Sequence, residues 1–224
     1  MARILGVLGG MGPAATVDFL TKLQAATPAT RDADHVRVVM DLNPRVIDRH
    51  GDPDGAIAEL AEMSVTLRTA GAQVLAMPCN TAHIAAGAIR EASGLPFIDM
   101  IDEAVAAARA TGARDVGVIA TPGGTALYVE RLAAAGLTPV RLTPEAQDQA
   151  MALIGRIKAG DVGPEVRAGM EGLAAGLAAA GAGAIIAGCT EVPLALAPDG
   201  QAAPVIDATD ALAQACVRAC AGRA

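Results

Sequence analysis

The sequence has 224 residues, of which 53% are hydrophobic, yet it holds two Phe, one Tyr and no Trp. A chain with so few aromatic rings and a net charge of −7 has neither the stacking surface nor the basic surface of a nucleic-acid-binding protein. A charged fraction of 18% beside this apolar content also excludes a disordered chain. The N-terminus does not resemble a signal peptide, and the uncharged stretch at 172–190 is mostly Ala and Gly. We therefore predict a cytoplasmic protein without a membrane span.

Short apolar runs alternate with helix-period segments along the chain. The runs predict strands at 4–8, 36–40, 74–77, 116–120 and 184–187. The segments between and after them predict helices at 14–25, 56–70, 101–110, 125–135, 146–158, 166–180 and 208–221. Strands that alternate with helices are typical of an α/β protein with a parallel sheet covered on both faces.

The second half of the sequence resembles the first. When the chain is shifted by 110 residues, the Gly-Ala pair at 71–72 falls on the pair at 181–182, and Cys79 falls on Cys189. This repeat predicts two similar α/β lobes with mainly parallel sheets, at 1–97 and 98–207, with the active site in the cleft between them. The C-terminal helix, 208–224, is expected to pack back on the first lobe.

Cys79 and Cys189 follow predicted strands, at the carboxyl ends where open α/β sheets bind ligands. Each stands near a predicted helix start, which would lower the pKa of a thiol. Either cysteine alone could be a small buried packing residue. Metal binding would need ligands at short spacing, such as CxxC or HExxH, and the sequence has neither. A matched pair of thiols instead suits stereoinversion at carbon, in which one group removes a proton and the other delivers one.

Three motifs together resemble the aspartate/glutamate racemase family, and most closely its cofactor-independent aspartate racemase branch. They are LGGMGP at 8–13, MPCNTAH at 77–83 and AGCTE at 187–191. The resemblance extends over essentially the whole chain, and both cysteine positions are filled. It implies two similar α/β domains, a homodimer, a small amino-acid dicarboxylate as substrate, and catalysis by Cys79 and Cys189 without pyridoxal phosphate or metal.

The resemblance also implies two cationic residues for the distal carboxylate of the substrate. Arg49 matches the Arg of the family's Ile-Pro-Asp-Arg segment, and Lys158 matches a Lys of aspartate racemases. In this segment Ile47 stands where the family has Ile or Pro, depending on register, and His50 stands where relatives commonly have Thr. A Lys–Arg pair suits a short diacid because both can form charge-assisted hydrogen bonds.

The remaining candidate residues lie in or near the same motifs. Asn80, Thr81 and Thr190 are expected to donate hydrogen bonds to the α-carboxylate, with helix capping as the alternative or additional role. His83, four residues after Cys79, is interpreted either as tuning the thiol or as a structurally satisfied histidine. Glu191 is expected to orient a proton or the substrate ammonium. Cys216 and Cys220 are interpreted as packing residues. The other predicted substrate-binding residues are Met11, Thr121 and Thr125.

Three other functions remain open at this stage. The chain could racemise glutamate, hydantoins or a broad range of amino acids. It could catalyse another reaction on the same scaffold, such as maleate isomerisation or malonate decarboxylation, although the residues around the cysteines differ. It could also be a ligand-binding protein without catalytic activity.

Overall fold

The computed structural model describes residues 2–48 and 51–221, which form two compact units. The first unit comprises Met1–Met100 with Thr209–Ala224, and the second comprises Ile101–Ala208. The last helix therefore belongs to the first unit, where the N–H of Arg3 donates to the carbonyl of Cys220 at 3.0 Å.

The first unit contains a four-stranded parallel sheet in the order β2-β1-β3-β4. Its strands are β1 (Leu5–Gly9), β2 (Val38–Leu42), β3 (Val74–Ala76) and β4 (Phe97–Ile98). Its helices are α1 (Pro13–Ala26), α2 (Pro53–Thr69), α3 (Ala86–Ser93) and, after the second unit, α8 (Ala208–Cys220).

The second unit repeats this arrangement, with a parallel sheet in the order β6-β5-β7-β8. Its strands are β5 (Asp115–Ile119), β6 (Thr138–Val140), β7 (Ala184–Ala187) and β8 (Val205–Asp207). Its helices are α4 (Met100–Ala110), α5 (Pro122–Ala134), α6 (Pro144–Lys158) and α7 (Pro164–Ala179). Because β1 corresponds to β5 and β3 to β7, the prediction of two similar parallel α/β lobes is confirmed.

Glycine at one position of each central strand lets a helix approach the sheet closely. A Cβ added at Gly6 would lie 3.4 Å from the Cβ of Leu67 on α2 and 2.7 Å from the Cβ of Ala72 in the turn that follows α2. At the corresponding Gly117, an added Cβ would lie 3.1 Å from Leu177 and 3.2 Å from Ala182. A side chain larger than glycine at either position would therefore crowd the residues that cover the sheet.

The predicted elements differ from the observed ones in two systematic ways. Strands β4, β6 and β8 and helix α3 were missed, because a two-residue strand and an eight-residue helix are too short to show a pattern. Strands β6 (TPV) and β8 (VID) also lack the continuous apolar run that identifies the equally short β3. Most helices were also predicted to start too late. Five of them, α1, α2, α5, α6 and α7, begin at a proline, which suits the first helical position because its missing N–H needs no partner there.

The uncharged stretch at 172–190 forms the second half of α7 and then β7. Helix α7 is buried only along one stripe, whereas all four residues of β7 are buried. Within residues 2–48 and 51–221, no helix is both long enough and apolar enough to cross a bilayer.

Candidate active site

Cys79 lies just beyond the carboxyl end of β3, and its main chain is held on both sides. Its N–H donates to the carbonyl of Met77 at 2.9 Å, which closes a tight turn over Pro78. Its carbonyl lies 2.8 Å from Nδ1 of His83. The residue is only 5% exposed. His83 therefore contacts the main-chain carbonyl of Cys79. A direct effect of the imidazole on the thiol stays a prediction.

The residues after Cys79 do not begin an α-helix. Thr81–Ala85 form a 3₁₀ turn, and α3 follows it. Asn80 precedes this turn without a side-chain capping bond in the described part of the chain, so the capping alternative for Asn80 is wrong. Asn80 and Thr81 are both buried beside the cysteine.

The glycine turn after β1 belongs to the same unit and is shaped by Thr16, which sequence analysis did not select. Gly10 has a φ of +99°, and an added Cβ would lie 2.4 Å from the main chain of Asn43. The N–H of Gly10 donates to Oγ1 of Thr16 at 2.9 Å, and this hydroxyl donates to the carbonyl of Gly12 at 3.1 Å. Met11, next in this turn, is buried in the apolar cluster that includes Cys79.

Cys189 occupies the corresponding position in the second unit, just beyond the carboxyl end of β7. The N–H of the preceding Gly188 donates to the carbonyl of Ile119 at 2.9 Å. An added Cβ at Gly188 would lie 2.6 Å from the ring of Tyr128, which is fully buried. Packing of this ring under the strand end therefore requires glycine before Cys189.

The thiol of Cys189 is surrounded by groups that favour its protonated form. Its Sγ donates to Oε2 of Glu191 at 2.9 Å, and Oγ1 of Thr190 donates to the same oxygen at 3.2 Å. Burial and the neighbouring carboxylate together raise the pKa of Cys189, whereas the charge of Lys158 lowers it. The predicted lowering by a helix N-terminus is wrong here, because the helical turn that follows has three residues, Val192–Leu194.

Three further candidate residues of the second unit lie on α5 and α6. Oγ1 of Thr121 accepts from the N–H of Gly124 at 3.2 Å and so caps α5. One turn later, Oγ1 of Thr125 is buried and has no hydrogen-bond partner among the described residues. Lys158 is exposed and ends α6.

The structure thus divides the described candidate residues between the two units. Arg49 and His50 lie outside the described residues, and the described ones include no cluster of three or more His, Cys, Asp or Glu that could hold a metal ion. The first unit contributes Met11, Cys79, Asn80, Thr81 and His83, and the second contributes Thr121, Thr125, Lys158, Cys189, Thr190 and Glu191.

Residues 8–216 match the family model of the Asp/Glu/hydantoin racemases. The chain belongs to this family.

The structure of this racemase-family chain is similar to that of the aspartate racemase of Picrophilus torridus. The TM-score is 0.86 at 29% sequence identity, over 97% of this chain and 94% of the other. This likeness confirms the predicted α/β fold of two similar lobes with mainly parallel sheets.

Two curated relatives are similar in sequence over part of this racemase-family chain. One is the broad specificity amino-acid racemase RacX of Bacillus subtilis, 31% identical over 46% of this chain and 48% of RacX. The other is the glutamate racemase of Roseiflexus, 33% identical over 72% of this chain and 61% of that protein. The chain therefore spans about half the length of RacX and about three fifths of the length of the Roseiflexus protein.

Proposed function

We propose that this chain is an aspartate racemase that uses Cys79 and Cys189 as its acid–base pair, without pyridoxal phosphate or metal. The observation that carries the proposal is that both thiols follow corresponding strands, β3 and β7, at the sheet ends where α/β proteins bind ligands. Racemisation needs two such groups, because the proton leaves one face of the α-carbon and returns to the other.

The surroundings of Cys189 support a starting state in which this cysteine is the acid. Its raised pKa keeps the proton on sulfur at neutral pH. In one direction, the thiolate of Cys79 takes the α-proton and becomes a thiol, while the thiol of Cys189 protonates the carbanion and becomes a thiolate. In the reverse direction, Cys189 must first lose its proton, and Glu191 is the adjacent acceptor.

The substrate would be held at both carboxylates. In this proposal Arg49 and Lys158 bind the side-chain carboxylate, and Asn80, Thr81 and Thr190 donate to the α-carboxylate. The positive charge of Lys158 is complementary to the second carboxylate of a diacid. The same charge lowers the pKa of the Cys189 thiol. Other donors, including main-chain N–H groups, complete the binding of the α-carboxylate; we assign this supporting role to Met11, Thr121 and Thr125.

The similarity to the Picrophilus aspartate racemase favours aspartate as the substrate. Similarity to the broad specificity RacX supports a second candidate, a racemase with a wider range of amino acids. We further propose that the protein is a homodimer, as the family resemblance implies, and that it acts in the cytoplasm.

A substrate panel with each enantiomer separately tests the proposal. The wild-type chain, without added cofactor, is incubated with L- and D-forms of aspartate, glutamate, alanine and serine in D₂O, and inversion and α-deuteration are followed. We expect aspartate to react fastest; equal rates for the uncharged amino acids would favour the broad-specificity alternative.

Cysteine variants test the two-thiol mechanism in the same assay. Cys79→Ala and Cys189→Ala should each reduce racemisation at least about 100-fold, because each removes an acid–base group. Cys216→Ala, which changes a buried thiol on α8, is the matched control and should retain activity. Wild-type rates in both Cys79→Ala and Cys189→Ala would refute the mechanism.

A further inference from the structure

We propose that His83 is a positioning residue that fixes the main chain of Cys79, and through it the direction in which the thiol points. This role rests on the proposed racemase function, in which Cys79 exchanges a proton with the substrate. The contacts that support it all lie within the first unit.

Hydrogen bonds on both sides of the Cys79 α-carbon restrain this residue. The N–H is bound to the carbonyl of Met77 at 2.9 Å, and the carbonyl is bound to Nδ1 of His83 at 2.8 Å. With both flanking peptide groups held, rotation about the Cα–Cβ bond is the main freedom left to the sulfur. Loss of the histidine bond would release one of the two peptide groups.

The neighbours of the ring determine which nitrogen carries the proton. The N–H of Met100 points at Nε2 of His83 at 3.0 Å, and a main-chain N–H can only donate. Nε2 therefore accepts, the imidazole is neutral, and the proton on Nδ1 is donated to the carbonyl of Cys79. Since both nitrogens are engaged by main-chain atoms, His83 acts through Cys79 and not on the substrate.

Packing around the imidazole keeps it in this orientation. The side chain of His83 is 2% exposed, and the ring of Phe97 lies 5.4 Å away, tilted by 47°. The guanidinium of Arg90 lies 5.2 Å from the centre of the Phe97 ring and donates to Oδ2 of Asp99 at 3.1 Å. The other oxygen of this buried carboxylate lies 3.8 Å from Nε2 of His83.

Two substitutions of His83 separate positioning from a general contribution to folding. The amide nitrogen of Asn lies close to the position of Nδ1, so His83→Asn can keep the donor to Cys79 while losing the acceptor for Met100. The longer side chain of Gln places its amide near Nε2, so His83→Gln can keep the acceptor and lose the donor. We expect kcat to fall about threefold in His83→Asn and at least tenfold in His83→Gln, with KM changed less than about twofold.

Ile89→Val, a small change in the buried face of α3, serves as a stability control. The free energy of unfolding is measured by urea for all three variants. If kcat followed stability and did not distinguish Asn from Gln, the positioning role would be wrong.

A second readout does not depend on turnover. The rate of alkylation by iodoacetamide is measured at individual cysteines by mass spectrometry. Relative to the wild type, the rate at Cys79 should change more than about threefold in His83→Gln and less than about twofold in His83→Asn. The rate at Cys189 should not change. Equal Cys79 rates in the wild type and both variants would overturn the inference, even if the wild type racemised no amino acid and the proposed function itself failed.

Phe97→Leu provides a test if His83→Gln does not fold. This change keeps both main-chain partners of the imidazole but removes the ring that packs against it, so the imidazole is held less firmly against the carbonyl of Cys79. Altered alkylation at Cys79, with an unaltered rate at Cys189, is the expected result; unchanged alkylation at both would contradict the proposal.

Discussion

The thiol of Cys189 donates a 2.9 Å hydrogen bond to the carboxylate of Glu191, two residues further along the chain. Both groups are buried. A thiolate at this position would lose its hydration and face a negative charge, so the protonated form is favoured. In the proposed mechanism Cys189 therefore starts as the acid, and Glu191 is the adjacent group that accepts its proton when the reverse direction requires the thiolate.

Replacement of Glu191 by Gln should make Cys189 easier to ionise. Removal of the carboxylate charge lowers the pKa of Cys189, because both the charge and the hydrogen bond of Glu191 raise it. Site-resolved alkylation of Cys189 should then accelerate at lower pH than in the wild type. Racemisation should slow at least about tenfold, since the proton acceptor is lost. Glu165→Gln, an exposed change in the same unit, is the control; an unshifted alkylation profile in Glu191→Gln would contradict the prediction.

Stability should decrease at alkaline pH because two buried thiols resist ionisation. Burial raises the pKa of Cys189 and of Cys220 above that of an exposed thiol. Below about pH 8.5 the folded and unfolded states both keep these protons, so the stabilisation is fully present. As the pH rises further, the unfolded thiols ionise first, and each group can cost up to about 1.4 kcal/mol per pH unit until its folded pKa is passed.

Urea unfolding between pH 7 and 9.5 measures this slope. Cys189→Ser removes one ionising thiol and should make the decline less steep. An identical slope in wild type and variant would mean that Cys189 ionises equally in both states.

Gly188→Ala should destabilise the second unit, because the added methyl group would lie 2.6 Å from the ring of Tyr128. Overpacking of this kind costs about 1–3 kcal/mol, measured as the free energy of unfolding in urea. Gly172→Ala is the matched control, because this helical glycine has open space around it and should be neutral or stabilising by up to about 1 kcal/mol. Adding Tyr128→Leu to Gly188→Ala should recover part of the lost free energy of unfolding. Equal effects of Gly188→Ala and Gly172→Ala would show that the contact with Tyr128 does not require glycine.

Lys158→Met should weaken binding of the diacid and also raise the pKa of Cys189, because the cation that lowers it is removed. We expect KM for aspartate to rise about tenfold, with a smaller effect on uncharged amino acids. Arg156→Gln removes an equal charge from the same helix, where it pairs with Asp161 and Glu165, and is the control. Similar KM values for aspartate in both variants would argue against a binding role for Lys158.

Some features of the site could be predicted from local sequence patterns. The positions of Cys79 and Cys189 after apolar strands are visible because continuous runs such as 184–187 are long enough to identify a buried strand. The roles of Thr16 and Asp99 were not visible, since each depends on a partner that only folding brings near: the glycine turn for Thr16, and Arg90 for Asp99.

The sequence by itself determined the α/β class, the internal repeat and the two cysteines, because apolar runs, helix periodicity and repeated motifs are properties of neighbouring residues. Only the tertiary structure decided how each cysteine is held. The protonated state of Cys189 depends on burial and on the direction of the Glu191 side chain, which no local pattern encodes. Likewise, the N–H of Met100, at the start of α4, donates to Nε2 of His83 and so leaves the imidazole proton on Nδ1. Only with this proton can His83 donate to the carbonyl of Cys79.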